Sequence, residues 1–63
     1  MIRVTREGLD DDGFVVYRDV AIPEKVKGLK SAESWLRKAV KERKLAKGVY
    51  HVEKITQSKE IIL

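Results

Sequence analysis

Ser31 to Lys47, which reads SAESWLRKAVKERKLAK, is the stretch of the chain that decides the fold. Its apolar residues recur at the three- and four-residue spacing of one helix face: Ala32, Trp35, Leu36, Ala39 and Val40. The Ser31 hydroxyl can cap the first turn, and Gly48 supplies a residue that tolerates the left-handed conformation at a helix end. The sequence therefore predicts one helix of about four turns between Ser31 and Lys47.

Two strands are predicted before this helix. Met1 to Arg6 and Phe14 to Ile22 both alternate in the two-residue period of a strand, and the second is rich in valine and aromatic residues. Glu7 to Gly13 lies between them as an acidic loop with a glycine near each end. We expect the two strands to pair as an antiparallel hairpin, and Pro23 to end the second one.

Two further strands are predicted after the helix. Val49 to Thr56 again has a period of about two, but Ile55 falls on the opposite parity from Tyr50 and Val52. Either a bulge near Glu53 reconciles them, or both faces of this strand are partly covered. A polar turn at residues 57–59 then leads to Glu60 to Leu63, which ends on three apolar residues. This last segment suits a short strand that is covered on both sides. If it lies at an edge of the sheet instead, it could pair with the same strand of a second chain.

The element order predicts an α+β fold in which residues 1–63 form a single domain. We expect a two-layer ββαββ sandwich, with one helix packed on a small, mainly antiparallel sheet; a ββαβ domain is the alternative if the last strand is too short. Trp35 is expected to be buried against the sheet by Leu36 and Val40 of the helix and by strand residues that include Phe14, Val16 and Val52. The order and size resemble those of β-grasp-like folds, including the immunoglobulin-binding domain of protein G. The resemblance is one of architecture, and no functional residue is transferred from it.

The composition excludes several classes of protein and of site. The chain has no cysteine, which excludes disulfides and thiolate metal sites, and its one histidine, His51, cannot build a zinc site alone. No apolar run approaches the ~20 residues of a membrane span, and the first residues lack the apolar core of a signal peptide. We therefore expect a cytoplasmic protein that is not associated with a membrane.

Catalysis and metal binding are not expected from the sequence. The candidate nucleophiles carry no elbow motif, His51 falls inside a predicted strand, and no phosphate-binding glycine pattern is present. Asp10, Asp11 and Asp12 invite a calcium interpretation, but they lack the alternate spacing and the closing glutamate of a calcium loop. We expect a solvated turn here, and neither a metal nor a cofactor.

Basic residues are concentrated in and after the helix. Residues 1–22 hold three basic and five acidic side chains, whereas residues 23–63 hold eleven basic and five acidic ones. The candidate phosphate-contacting residues are Arg37, Lys38, Lys41 and Lys44 on the helix, with Lys30 before it and Lys47 after it. An ordinary solvated helix face is the alternative interpretation, because surface helices rich in lysine and glutamate are common.

Two function hypotheses follow for a non-enzymatic binding module. In the first, the basic helix face contacts nucleic-acid phosphates with little sequence specificity, and Tyr17 and Tyr50 are candidates for stacking on a base or contacting a partner. In the second, the chain is a protein-interaction or regulatory accessory protein, of the kind that phages and mobile elements encode. It would act through a sheet edge or the solvent face of the sheet, or through formation of a homodimer.

Overall fold

A computed structural model describes residues 2–63, and these form one helix on a four-stranded sheet. The elements in chain order are β1 (Ile2–Leu9), β2 (Val15–Asp19), α1 (Leu29–Lys41), β3 (Val49–Lys54) and β4 (Gln57–Ile62). The spatial order of the strands is β2-β1-β3-β4, and every neighbouring pair is antiparallel. The predicted ββαββ sandwich is therefore confirmed, and β4 is long enough to remove the ββαβ alternative. No helix in the described part of the chain has the length and apolar character needed to span a membrane.

The β1–β2 hairpin is confirmed, but its strand boundaries differ from the prediction. β1 continues to Leu9, and the hairpin closes beyond it where the amide of Asp10 donates to the carbonyl of Phe14 at 2.9 Å. This bond leaves residues 11–13 as a three-residue loop, which is shorter than the predicted loop. Gly13, at φ 85°, takes the left-handed position that such a loop requires. The predicted first residue of β1, Met1, lies outside the described residues. β2 ends at Asp19 rather than Ile22. In the register of the β1–β2 pair, Leu9 lies opposite Val15.

The β3–β4 hairpin is tighter than predicted. β3 and β4 pair without interruption, from Val49 opposite Ile62 to Lys54 opposite Gln57, so the predicted bulge near Glu53 is wrong. Two residues, Ile55 and Thr56, form the whole connection. Ile55 has the opposite parity because it lies in this turn, and the residues predicted to form the turn instead begin β4. The last strand is covered on one side only, because β4 lies at an edge of the sheet with Ile61 buried and Ile62 exposed, so the predicted cover on both sides is wrong.

The helix begins two residues before the predicted start and ends six before the predicted end. Gly28 rather than Ser31 holds the N-cap position, and it makes no side-chain cap. At the other end, Arg43 adopts φ 62°, and the amides of Arg43 and Lys44 donate to the carbonyls of Val40 (3.1 Å) and Ala39 (2.8 Å). These contacts are the hydrogen bonds of a Schellman motif. The predicted end at Gly48 is therefore wrong.

Side-chain placement explains the early helix end. If the helix continued, Arg43 would lie four residues after Ala39 and seven after Leu36, on the stripe that faces the sheet. Both Ala39 and Leu36 are buried, so a regular turn would place the guanidinium of Arg43 in the core. Ending the helix at Lys41 leaves Arg43 exposed and lets Leu45 fold back against the core.

The core lies between the helix and the strands that it covers. Leu36 and Ala32 of the helix are fully buried, as are Tyr50 and Val52 of β3. The helix packs mainly on β3 and β4, so β2 lies outside its cover. The predicted burial of Trp35 is therefore wrong in part: Trp35 is half-buried at the margin, and Phe14, with 69% of its surface exposed, does not pack against it. Tyr50 is the large aromatic residue of the core.

Candidate nucleic-acid interface

The outer face of the helix carries a basic stripe. Lys30, Arg37 and Lys41 are separated by seven and four residues, which places them on the side of α1 opposite the buried Ala32 and Leu36. Lys38 lies beside this stripe, and all four cations are exposed. The spacing of Arg37 and Lys41 was predicted from the sequence. Lys30, which was predicted to precede the helix, lies in its first turn because α1 begins at Leu29, and Lys44 leaves the predicted stripe because α1 ends at Lys41.

One cation of the stripe is already engaged within the protein. Arg37 donates two hydrogen bonds to one carboxylate oxygen of Glu33, at 2.9 and 3.1 Å, and Lys59 of β4 contacts the other oxygen. The hydrogen bond from Lys59, and then that from Arg37, hold the pKa of Glu33 below its ordinary value. Within residues 2–63, by contrast, Lys30, Lys38 and Lys41 have no carboxylate within 4.0 Å, so their charges are available to a ligand.

The last two predicted contact residues lie beyond the helix. Lys44 and Lys47 belong to the segment between α1 and β3, because the helix ends at Lys41. Both side chains are exposed, and Lys44 lies 3.3 Å from a carboxylate oxygen of Glu42. Lys44, which was predicted on the helix, is therefore placed after it, in the same segment as Lys47. The basic surface continues past the helix end into this segment.

A shallow depression on the flank of the helix combines an aromatic side chain with lysines. It has a volume of about 210 Å³ and is lined by Trp35, Lys25, Lys38, Lys44, Ala39 and Glu42. Trp35 lies between the buried stripe and the basic stripe, so its indole is half-buried and still reaches this surface. An aromatic side chain beside cations is the combination that single-stranded nucleic acids bind. We call this feature the Trp35 depression.

The charge of the chain is separated between two regions. Residues 25–47, which contain the helix and its flanking segments, hold nine basic and two acidic side chains, a net charge of +7. The remaining residues hold five basic and eight acidic side chains, a net charge of −3. We call residues 25–47 the basic layer. Such a separation creates a directional field that attracts polyanions to one side of the molecule.

Three basic residues of this surface were not among the predicted contact residues. Lys25 lines the Trp35 depression, and Lys27 and Arg43 are exposed in the segments before and after the helix. The excess of basic residues after position 22 was the signal that could have identified them. Helical spacing could not, because all three lie outside α1.

The two tyrosines do not join the basic layer. Tyr50 is fully buried and its hydroxyl donates to the carbonyl of Ala46, so the expectation that Tyr50 stacks on a base or contacts a partner is wrong. Tyr17 is exposed, but it lies on β2 on the sheet face away from the helix, where its hydroxyl donates to Glu7 at 3.3 Å.

The acidic hairpin loop is organised by its own backbone. One carboxylate oxygen of Asp10 accepts hydrogen bonds from the amides of Asp12 and Phe14, both at 2.9 Å. This is the local bonding by which aspartate stabilises a turn. No group of three or more histidine or acidic side chains in residues 2–63 has an arrangement that could hold a metal ion.

Comparison of the chain with protein-family models, with curated proteins and with solved structures found no match. The resemblance to β-grasp-like folds therefore has no matching solved structure behind it.

Proposed function

We propose that this protein is a non-enzymatic module that binds nucleic acid through the basic layer. The Trp35 depression carries the proposal, because it places a half-buried indole among Lys25, Lys38 and Lys44 at the edge of the helix. Lys30 and Lys41, which have no ion-pair partner in the described structure, extend the positive surface along the outer face.

The two kinds of side chain have different roles in this proposal. The lysines neutralise phosphates and release counterions, which gives affinity with little dependence on sequence. Trp35 offers its exposed surface to an unpaired base, and base–aromatic stacking is tolerant of sequence as well. A single strand is therefore the preferred ligand, because its bases are free to stack.

Trp35 also provides the measurement. It is the only tryptophan in the chain, so its fluorescence reports directly on the depression. Titration with an oligothymidylate should quench this fluorescence, and the affinity should fall steeply with salt. For about four phosphate contacts, the slope of log K against log salt should be near −3 for a single strand and near −3.6 for a duplex.

A matched pair of charge-neutralising variants tests the location. Lys38→Gln removes a cation from the depression and should weaken binding while making the salt slope shallower by roughly 0.7. Arg18→Gln removes one exposed cation from β2, outside the basic layer, and should have a clearly smaller effect. Equal effects of the two variants would mean that net charge alone governs binding, and absence of binding at low salt would refute the proposal.

A charge reversal gives an independent result of opposite sign. Glu42 lines the Trp35 depression and pairs with Lys44, so it competes with a phosphate for that lysine. Glu42→Lys should therefore strengthen binding and make the salt slope steeper by roughly one contact.

A protein-interaction role through a sheet edge is the second candidate. The observation that favours it is the position of β4, whose outer side is an unpaired edge of the sheet. Backbone groups at such an edge can pair with a strand of another chain, including a second copy of this one.

A further inference from the structure

The sheet has one face without a helix. Thr5 pairs with both Asp19 and His51, so these three side chains lie on the same face of the sheet. Because side chains alternate between the two faces along a strand, this pairing identifies the other residues of the face. We call it the open face, and its residues are Arg3, Thr5, Glu7, Leu9, Val15, Tyr17, Asp19, Val49, His51, Glu53, Ser58, Glu60 and Ile62.

One part of the open face is apolar and exposed. Leu9 and Val15 are directly paired across β1 and β2, with 65% and 58% of their surface exposed, and Tyr17 follows Val15 on the same side of β2. Ile62 of β4 is 71% exposed on the same face. The solvent face of an antiparallel sheet is normally polar, and exposed apolar residues grouped within a polar surround are typical of an interaction site.

The rest of the open face is acidic. The face has four carboxylates, those of Glu7, Asp19, Glu53 and Glu60. Among its residues Arg3 is the one arginine or lysine. Asp19 is paired with Arg3 at 3.0 Å. The face therefore carries an excess of three negative charges, opposite in sign to the basic layer.

A small polar pocket lies at the centre of the open face. The Tyr17 and His51 rings meet edge to face, with centroids 5.5 Å apart. Nε2 of His51 is buried without a hydrogen-bond partner and lies 3.7 Å from a carboxylate oxygen of Glu7. The negative charge of Glu7, and more weakly burial and Glu60, raise the pKa of Tyr17. Both carboxylates lie near the centre of the face, because Glu7 is close to His51 and Glu60 is directly opposite His51 on β4.

The charge of the open face selects among its potential occupants. A nucleic acid is excluded by repulsion from the carboxylates. A second copy placed face to face is disfavoured as well, because it would bring two acidic surfaces together. A protein segment with apolar side chains next to arginine or lysine satisfies both parts of the face. Its cation would also lie against the ring of Tyr17 in a cation–π contact.

We propose that the open face is a docking surface for a partner protein that presents a segment of alternating apolar and basic residues. Leu9, Val15 and Tyr17 contact the apolar residues of that segment. The carboxylates of Glu53 and Glu60, together with the ring of Tyr17, contact its arginine or lysine side chains.

A random 12-residue peptide library displayed on phage tests this proposal against two forms of the protein. Selection on the wild type should enrich peptides that combine arginine or lysine with apolar residues. Glu53→Lys/Glu60→Lys reverses two exposed charges, changing the charge of the face from an excess of three negative to an excess of one positive. Selection on this variant should enrich acidic peptides instead, because the apolar part of the face is unchanged.

The selected peptides are then mapped by amide chemical shifts in the ¹⁵N-labelled protein. Shift changes should centre on Thr5, Tyr17 and His51, and Leu9→Thr/Val15→Thr should weaken a wild-type peptide about tenfold through lost apolar contact. The amide spectra of each variant also show that it is folded.

Three outcomes would overturn the proposal. One is enrichment of the same peptides by the wild type and the charge-reversed form, and another is no enrichment by either. The third is a dimer in sedimentation whose amide shift changes place the basic layer of one copy on the open face of the other, where the peptide was expected.

Discussion

The turn between β3 and β4 provides a stability test that depends on one dihedral angle. Ile55 has φ 55°, and it is the first of the two residues that connect Lys54 to Gln57. Two-residue hairpin turns require a positive φ at this position, which asparagine and glycine adopt easily. A β-branched residue is an outlier there. We expect Ile55→Asn to stabilise the protein.

The magnitude follows from the conformation and the exposure of Ile55. The left-handed conformation costs an ordinary L-residue about 1–2 kcal/mol, and asparagine relieves much of this cost. Ile55 is 89% exposed, so the substitution gives up only about a tenth of the ~2–3 kcal/mol that full burial of an isoleucine is worth. The net gain should be about 1 kcal/mol, which raises the Tm of a domain of this size by about 4–8 °C.

Urea denaturation followed by Trp35 fluorescence, and thermal melts followed by circular dichroism, measure this gain. Ile62→Asn is the matched control, because Ile62 is also exposed but lies in the extended conformation of β4. This control should lower stability slightly, since asparagine is disfavoured in strands. If Ile55→Asn is no more stable than the wild type, the strain assigned to Ile55 is absent and the reasoning fails.

Three further predictions concern the core, the helix and the sheet edge. Tyr50→Phe should cost about 1 kcal/mol in urea denaturation, because the Ala46 carbonyl loses its hydrogen bond, whereas Tyr50→Ala should cost about 3–5 kcal/mol. Glu33→Gln should reduce stability at pH 7. Since the contacts of Glu33 with Lys59 and Arg37 lower its carboxyl pKa, the difference from wild type should be complete above the ordinary value of 4.5 and shrink as pH falls through the lowered pKa. If β4 edges pair between copies, light scattering at high concentration should show a dimer, and Ile62→Lys should reduce it while the fold is retained.

The fold could be predicted from the sequence because its main signals are local. The apolar spacing around Leu36 required a helix, and the alternation on either side required strands. The helix end could not be read in the same way. Gly48 is a good terminator by its own chemistry, but the helix stops earlier because Arg43 would otherwise face the sheet. That conflict becomes visible only when the buried face of the helix is known.

The candidate site was predictable in its charge but not in its aromatic residues. The pair Arg37 and Lys41 follows from helical spacing alone, whereas the places of Lys30 inside α1 and Lys44 beyond it depend on where the helix begins and ends. The exposure of Trp35 and the burial of Tyr50 depend on which strands the helix covers. Because α1 packs mainly on β3 and β4, Tyr50 takes the centre of the core and Trp35 moves to its margin.

The two proposed surfaces can act independently because they lie on opposite sides of the sheet and carry opposite charge. The shortest dimension of the molecule is 18 Å, about twice the ~8 Å over which physiological salt screens a charge. Glu53→Lys/Glu60→Lys should therefore change peptide selection on the open face. It should leave oligonucleotide binding unchanged, so that the number of phosphate contacts calculated from the salt slope stays within about half a contact of the wild-type value. Salt titrations of Trp35 quenching on both forms measure this. A slope steeper by two contacts would mean that the introduced lysines also bind phosphate, and the separation of the two surfaces would then be wrong.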